Sequence, residues 1–506
     1  MARVVLEQAY DMSSSALWGI GGTFSSDQLG GGTDPYSFEL TVGSLVSTYS
    51  GWFSYSPSGE ISGEVRELYF ADSSLPYPNE IVRIEGMQLD FEYLQRLILL
   101  GWDEIAMRKV LRGDDAVHGS SFGDTLMGYA GSDMVYGHAG NDILYASEAS
   151  LRGDFDRDTL SGGFGDDTLI GCSWSDGDSL GGDYLSGGVG NDRIFGGFGS
   201  DKLSGGAGND LLNGGGGQDF AEYLGSTKVK VNLSLVGAQV IGIGYGTDTL
   251  VSIENVIGGS GNDSLTGSVT DNQLNGSFGD DTLTGLDGSD YLEGALGNDK
   301  LYGGNGDDTF DLYGGNDLFS GGTGTDTVYF DEFIKAGLAI NLSLTGAQNT
   351  GSGNDTFVSI ENVSGGGGND TITGNSTANY IAGWRGADLI LGGGGSDSMD
   401  GGDGSDRLMG GTGNDNLSGD DYWDEYAPLS ADIFVFRSND GHDTIADFQV
   451  GVDKIEIVTG AESMSDLTIT SGSGAGDSTL IQFSNVTIEL YNVISGDIGE
   501  SDFVFI

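Results

Sequence analysis

Aspartates recur along this chain every nine residues, a spacing that can build oxygen-lined cation sites. Asp183, Asp192, Asp201, Asp210 and Asp219 keep the interval without error. So do Asp263, Asn272, Asp281, Asp290, Asp299, Asp308, Asp317 and Asp326, and again Asp370, Asn379, Asp388, Asp397, Asp406, Asp415 and Asp424. Shorter runs join Asp115, Asp124, Asp133 and Asp142, and then Asp158, Asp167 and Asp176. Phase held this long marks an internal repeat. Pairs eighteen residues apart, such as Asp183/Asp201, Asp192/Asp210, Asp281/Asp299 and Asp397/Asp415, would repel unless a cation lay between them. Two carboxylates joined by backbone carbonyls make an all-oxygen cage of about six ligands, which suits Ca²⁺. Magnesium demands stricter geometry, and zinc prefers nitrogen or sulfur, which three histidines and the single Cys172 do not supply at these positions. Pairs eighteen apart give about 17 candidate sites, enough to neutralise about 34 charges.

The element that positions these carboxylates is the nonapeptide Gly-Gly-x-Gly-x-Asp-x-U-x, where U is a large apolar residue such as Leu203, Leu283, Leu301 or Leu408. Gly187-Gly188-Val189-Gly190-Asn191-Asp192 shows it in full. The glycines permit a tight turn whose carbonyls point inward. The x-U-x triplet is a short strand with only its central side chain facing inward. Two nonapeptides complete a coil, and coils stack at about 4.8 Å like strands in a sheet. One buried apolar side chain contributes about 1.5–3 kcal/mol, whereas ordering each of nine residues costs about 1–2 kcal/mol. The fold needs a further source of free energy, and bound calcium is that source.

The repeat resembles the repeat-in-toxin (RTX), or haemolysin-type calcium-binding, family over residues 113–421. The resemblance implies parallel β-roll blocks, folding triggered by extracellular calcium, and export through a type I secretion machinery. Asn272 and Asn379 depart from the motif, and residues 143–157 lose phase, so sites there are expected to be weaker or missing.

The remaining chain divides around the repeats. Residues 1–112 contain alternating strand patterns at Tyr36–Val42 and Glu64–Phe70, followed by helical spacing over 90–100 and 102–111. They read as a small α+β domain, a candidate attachment module. The repeats occupy 113–221, 258–328 and 365–421. Two inserts, 222–257 and 329–364, resemble each other: Asp248-Thr-Leu-Val-Ser-Ile-Glu254 matches Asp355-Thr-Phe-Val-Ser-Ile-Glu361 at an offset of 107 residues. Lys228–Leu235 alternates as a half-buried strand, and each insert is expected to cap one roll and start the next. Residues 422–506 form a C-terminal β region whose end, Ser501-Asp-Phe-Val-Phe-Ile506, resembles an uncleaved type I signal. The fold class is therefore all-β: serial parallel β-rolls with β inserts, behind the N-terminal α+β domain.

Composition narrows the function. There are 93 glycines, and 77 acidic residues stand against 19 basic ones, for a net charge of −58. Such a chain has no electrostatic footprint for nucleic acid or anionic lipid. About 17 calcium ions would leave roughly −24. No apolar run is long enough to span a membrane, and the first residues lack the apolar core of a secretory signal, so the chain reads as extracellular without a cleaved leader. Gly-x-Ser-x-Gly occurs at Ser121 and Ser179, but neither lies between a long strand and a helix. The expected function is a secreted calcium-binding structural protein of surface-layer or matrix type, non-enzymatic. Its expected partners are copies of itself or cell-surface polysaccharide. The alternative is a secreted enzyme or effector whose activity lies in residues 1–112.

Overall fold

The computed structural model describes strand backbone at 36–42, 45–55, 61–72 and 80–90, and then residues 114–119, 121–129, 131–147, 156–171, 181–330, 336–420, 430–472 and 478–506. They fall into two compact units, one of residues 1–223 with 235–256 and the other of 224–234 with 257–506. Among the described residues the chain is built from strands with two short 3₁₀ turns, Met464–Asp466 and Glu500–Asp502.

The first unit opens with an antiparallel meander, Tyr36–Val42, Leu45–Tyr55, Ile61–Asp72 and Glu80–Asp90. The helices expected over 90–100 and 102–111 lie outside the described residues, except that Asp90 ends a strand. The meander runs directly into the roll: Arg83 is the antiparallel register partner of His118.

From Ala116–His118 onward the strands are parallel. One face stacks Ala116–His118, Met134–Ala139, Thr159–Phe164, Tyr184–Val189, Lys202–Ala207 and Phe220–Glu222. The opposite face stacks Thr125–Tyr129, Ile143–Ser147, Thr168–Ile170, Arg193–Phe198, Leu211–Gly216 and Gly246–Val251. Each strand sends one apolar side chain inward, so Val135, Leu160, Leu185 and Leu203 line one wall of the core and Leu144, Leu169, Ile194 and Leu212 the other, all with no exposed area. Alternation with period two on a half-buried strand dictates this arrangement.

The second unit has an unexpected asymmetry. One face is a single unbroken parallel ladder from Gln273–Asn275 to Val486–Tyr491, passing straight from Thr327–Phe330 to Asn362–Ser364 across the insert. The opposite face is cut in two. Asn354–Val358 ends the parallel run that Lys230–Asn232 opens, with Gln348–Asn349 antiparallel at its edge, while Ala339–Asn341 opens the next, which ends at Phe503–Phe505. Only Lys230–Asn232 of the expected 228–235 strand is strand, because the turn after Asn232 is closed by its own Oδ1 accepting from Ser234 N–H at 2.8 Å. The region after 421 continues the roll: Ile433–Phe436 pairs with Arg407–Thr412, and His442–Ile445 with Asn416–Ser418.

Candidate calcium ladders

Each ladder aspartate uses its two oxygens differently. Oδ1 accepts the backbone N–H of the aspartate one coil earlier, at 2.8 Å from Asp183 to Asp201 and from Asp192 to Asp210, 2.8 Å from Asp281 to Asp299, and 2.9 Å from Asp397 to Asp415. All four pairs singled out from spacing are thus brought together. The same bond joins Asp115 to Asp133, Asp124 to Asp142, Asp201 to Asp219, Asp263 to Asp281, Asp290 to Asp308, Asp299 to Asp317, Asp308 to Asp326, Asp370 to Asp388 and Asp388 to Asp406.

Oδ2 is the informative atom. In Asp142, Asp167, Asp192, Asp201, Asp210, Asp219, Asp281, Asp290, Asp308, Asp326, Asp388, Asp397, Asp406 and Asp415 it is buried with no hydrogen-bond donor. Asp201 and Asp219 have no exposed area at all. Burial pushes the Asp201 and Asp406 carboxyls up to about 8, and those of Asp192, Asp281, Asp317 and Asp388 to about 7. The backbone N–H bond on each opposes that rise, and for Asp201 and Asp406 neighbouring ladder carboxylates add to it. Burying a bare carboxylate costs on the order of several kcal/mol, so these oxygens require a cation or a proton.

Glycine shapes the space around that oxygen. A methyl group on Gly383 would sit 2.5 Å from Asp388 Oδ2 and 2.6 Å from the carbonyl oxygen of Gly401, one coil on. Gly401 stands in the same relation to Asp406 Oδ2 and the Gly419 carbonyl, at 2.5 and 2.6 Å. A carboxylate oxygen and a carbonyl oxygen therefore face one spot, which glycine leaves open. The second glycine of the motif answers a different need: Gly188 has φ 108°, and a Cβ there would overlap the carbonyl of Gly163. No group of three or more His, Cys, Asp or Glu side chains arranged for a metal occurs among the described residues. A cage completed by backbone carbonyls needs no such group. The donor set, hard oxygens only, fits calcium.

The structure changes the ladder in two places where spacing misled. Asp158 is joined to Asp183, at 2.9 Å and 25 residues away, and Asp133 to Asp158 and Asp142 to Asp167 likewise span 25. The strands on either side of the phase loss over 143–157 keep their register, so Asp158 and Asp167 do not lose their ladder partners. Asp176 lies outside the described residues, as does Asp424. The place Asp424 was expected to fill, after Asp406, belongs to Asp432, at 2.8 Å.

Several ladder residues were not among the candidates. Asp210 continues to Asp248, Asp317 to Asp355, Asp415 to Asp443 and Asp432 to Asp453, while the backbone N–H groups of Asp219 and Asp326 donate to the Glu254 and Glu361 carboxylates. The signal was in the sequence: Asp248-Thr-Leu, Asp355-Thr-Phe and Asp443-Thr-Ile all repeat the Asp-x-apolar half of the motif.

At roll ends protein donors take the place a cation would hold. Asp248 Oδ2 accepts from the Tyr223 hydroxyl and Asp355 Oδ2 from the Thr350 hydroxyl. Asp263 and Asp370 Oδ2 accept from Gly259 and Gly366 N–H at 3.0 and 3.2 Å. Asn379 is neutral and satisfied within the protein: its Oδ1 accepts from Asn375 N–H and its Nδ2 donates to the Glu361 carbonyl at 2.7 Å. Asn272 Oδ1 accepts from Ser268 N–H at 2.6 Å.

Comparison with known proteins agrees with this geometry. The RTX calcium-binding nonapeptide repeat model matches residues 112–148, 150–171, 180–221, 253–283, 266–301, 293–328, 364–399 and 400–421. No curated protein matches the chain. Among solved structures, the extracellular lipase LipA from Serratia marcescens aligns at 16% identity over 46% of this chain, with a TM-score of 0.17. The chain spans 40% of that lipase's length, and at that TM-score the likeness carries nothing about activity. The chain carries RTX calcium-binding nonapeptide repeats in several copies across residues 112–421.

Proposed function

We propose that the chain is exported unfolded through a type I secretion machinery, folds when extracellular calcium fills its ladders, and then serves as a non-enzymatic structural protein of the cell surface. The observation that carries this reading is the row of buried Oδ2 atoms that lack any protein donor. Each would hold a calcium ion together with glycine carbonyls such as those of Gly401 and Gly419, while Oδ1 fixes the carboxylate to the preceding coil. Calcium supplies the positive charge that makes the burial tolerable. Low-micromolar calcium would leave the carboxylates repelling one another, and millimolar calcium would fill the sites together. Because the roll ends are closed by Tyr223, Thr350 and backbone N–H groups, the ions should number fewer than the about 17 that spacing alone allows.

The duplicated block-plus-insert, 107 residues in period, favours a scaffold, since repetition lengthens a surface without adding a reaction centre. Assembly with further copies, or anchoring on cell-surface polysaccharide, completes the proposal. Far-UV circular dichroism tests the folding step: addition of EGTA should abolish the β signature and excess calcium restore it. Light scattering and electron microscopy test the role. Ordered sheets or filaments in calcium support it; a calcium-saturated monomer that never assembles and turns over a substrate overturns it.

A further inference from the structure

We propose that His118 and His138 form a chelating site for a late first-row divalent cation of the copper–zinc type, separate from the aspartate ladders. The chain has only three histidines, and two of them meet. His118 Nδ1 and His138 Nε2 lie 3.1 Å apart on adjacent parallel strands, Ala116–His118 and Met134–Ala139. The two rings are nearly parallel, 5.3 Å between centroids and 15° between planes. Tyr136, the register partner of His118, stacks on its imidazole at 4.7 Å and holds the ring in place.

The backbone fixes where the second ring stands. His138 has φ 73°, in the left-handed region, at the position that Gly163, Gly188 and Gly206 fill in successive coils. Ser277, Leu286, Ala295 and Trp384 carry a side chain at the same motif position with positive φ, so the site rests on the meeting of the two rings and not on the backbone conformation. Imidazole selects copper, zinc and nickel, whereas carboxylates and carbonyls select calcium, so the two chemistries do not compete. With metal–nitrogen lengths of about 2.0–2.1 Å, two nitrogens on one ion stand about 2.9 Å apart at a right angle and about 3.4 Å apart at the tetrahedral angle. The observed separation lies between these, so an ion could take the place of the proton between the rings, with each ring then carrying its one proton on the outer nitrogen, Nε2 of His118 and Nδ1 of His138. Among the described residues no group of three His, Cys, Asp or Glu side chains gathers for a metal, so water would complete the coordination. The site requires the fold but not the proposed surface role.

Copper titration of the full-length, calcium-saturated chain, read by electron paramagnetic resonance, tests the assignment. One ion per chain is expected to show superhyperfine splitting from two imidazole nitrogens. His138→Gly installs the residue found in the next coils, so the calcium-dependent circular dichroism should persist while copper affinity falls at least tenfold and one nitrogen coupling disappears. His118→Gln should do the same, and His442→Ala should change nothing. Oxygen-only coordination in the unmodified chain, or an unchanged nitrogen count in a folded His138→Gly variant, overturns the proposal. A chain that fails the calcium control instead indicts the folding reading, not the copper site.

Discussion

The Tyr223 hydroxyl donates to Asp248 Oδ2 at 3.2 Å, the oxygen that in Asp192, Asp210 and Asp219 is buried with no protein donor. Tyr223 is buried, its hydroxyl pushed well above the ordinary phenol range by burial and then by Asp248. A hydroxyl here ends the ladder. The duplicated copy reaches the same end by another route. Phe330 stands 107 residues after Tyr223 and has no hydroxyl, and Thr350 supplies one to Asp355 instead.

Tyr223→Phe should therefore lower stability in saturating calcium by about 1–3 kcal/mol, the cost of leaving a buried acceptor unsatisfied. Phenylalanine fits sterically, since Phe330 is buried at the equivalent position. Thr350→Val should have the same effect on the second unit. Urea midpoints unchanged in both variants would show that these hydroxyls do not cap the ladders.

Glycine positions should separate cleanly by role. Gly401→Ala places a methyl 2.5 Å from Asp406 Oδ2 and 2.6 Å from the Gly419 carbonyl, so it should raise the calcium concentration needed for folding and weaken the calcium-bound state by several kcal/mol. Gly216→Ala is the control. It meets only the half-exposed Phe198 ring, at 3.2 Å, and the equivalent positions hold Phe164 and Val189. Its effect should stay within about 0.5 kcal/mol. Equal effects from the two substitutions would detach the motif glycine from the cation site.

Much of this was legible because one nonapeptide fixes turn, strand and ligand together. The apolar U residues read from sequence, Leu203, Leu283, Leu301 and Leu408, are all buried, and the Asp183/Asp201 and Asp397/Asp415 pairs meet as spacing requires. Spacing failed where coil length changed. Asp158 reaches Asp183 because a parallel ladder fixes register at the strands, leaving the connection free to lengthen. Asp248, Asp355 and Asp443 were missed for the same reason: 38 or 28 residues separate them from the preceding rung, although they lie one strand away. The unbroken face of the second unit was equally hidden, because a strand triplet such as Asn362–Ser364 carries too little pattern to reveal its neighbours.

Arg407 should anchor the region after the repeats. Its guanidinium makes a two-pronged bond to Glu456, at 2.8 and 2.5 Å, linking the strand Arg407–Thr412 to Lys454–Ile457 two strands away. Glu456 is nearly buried while Arg407 is partly exposed, so water screens the pair and the full cost of a buried ion pair does not apply. Arg407→Lys loses the planar fork and should cost about 1–2 kcal/mol in calcium. Arg407→Met, which leaves the Glu456 carboxylate alone, should cost more. A lysine variant as stable as the original would mean that charge, not the fork, holds the two strands.

Metal-free chain should respond to acid in the direction opposite to ordinary acid denaturation. The folded-state carboxyls of Asp201 and Asp406 titrate at about 8, and those of Asp192, Asp281, Asp388, Asp432 and Asp443 at about 7, each raised first by burial. In the unfolded chain the same groups titrate at about 3.9. The folded roll thus binds protons more tightly than the unfolded chain. Below about pH 4 both states are protonated and there is no penalty; between there and about pH 8 the penalty grows, and above that it is complete. Protein stripped of calcium by dialysis against resin-treated buffer should therefore regain β structure as pH falls from 8 towards 5, by far-UV circular dichroism. Calcium-saturated protein should show no such gain, because the ion already neutralises the carboxylates. Metal-free chain that is equally unfolded at both pH values, or that gains structure on raising the pH, would show that the buried Oδ2 atoms are not what keeps it unfolded.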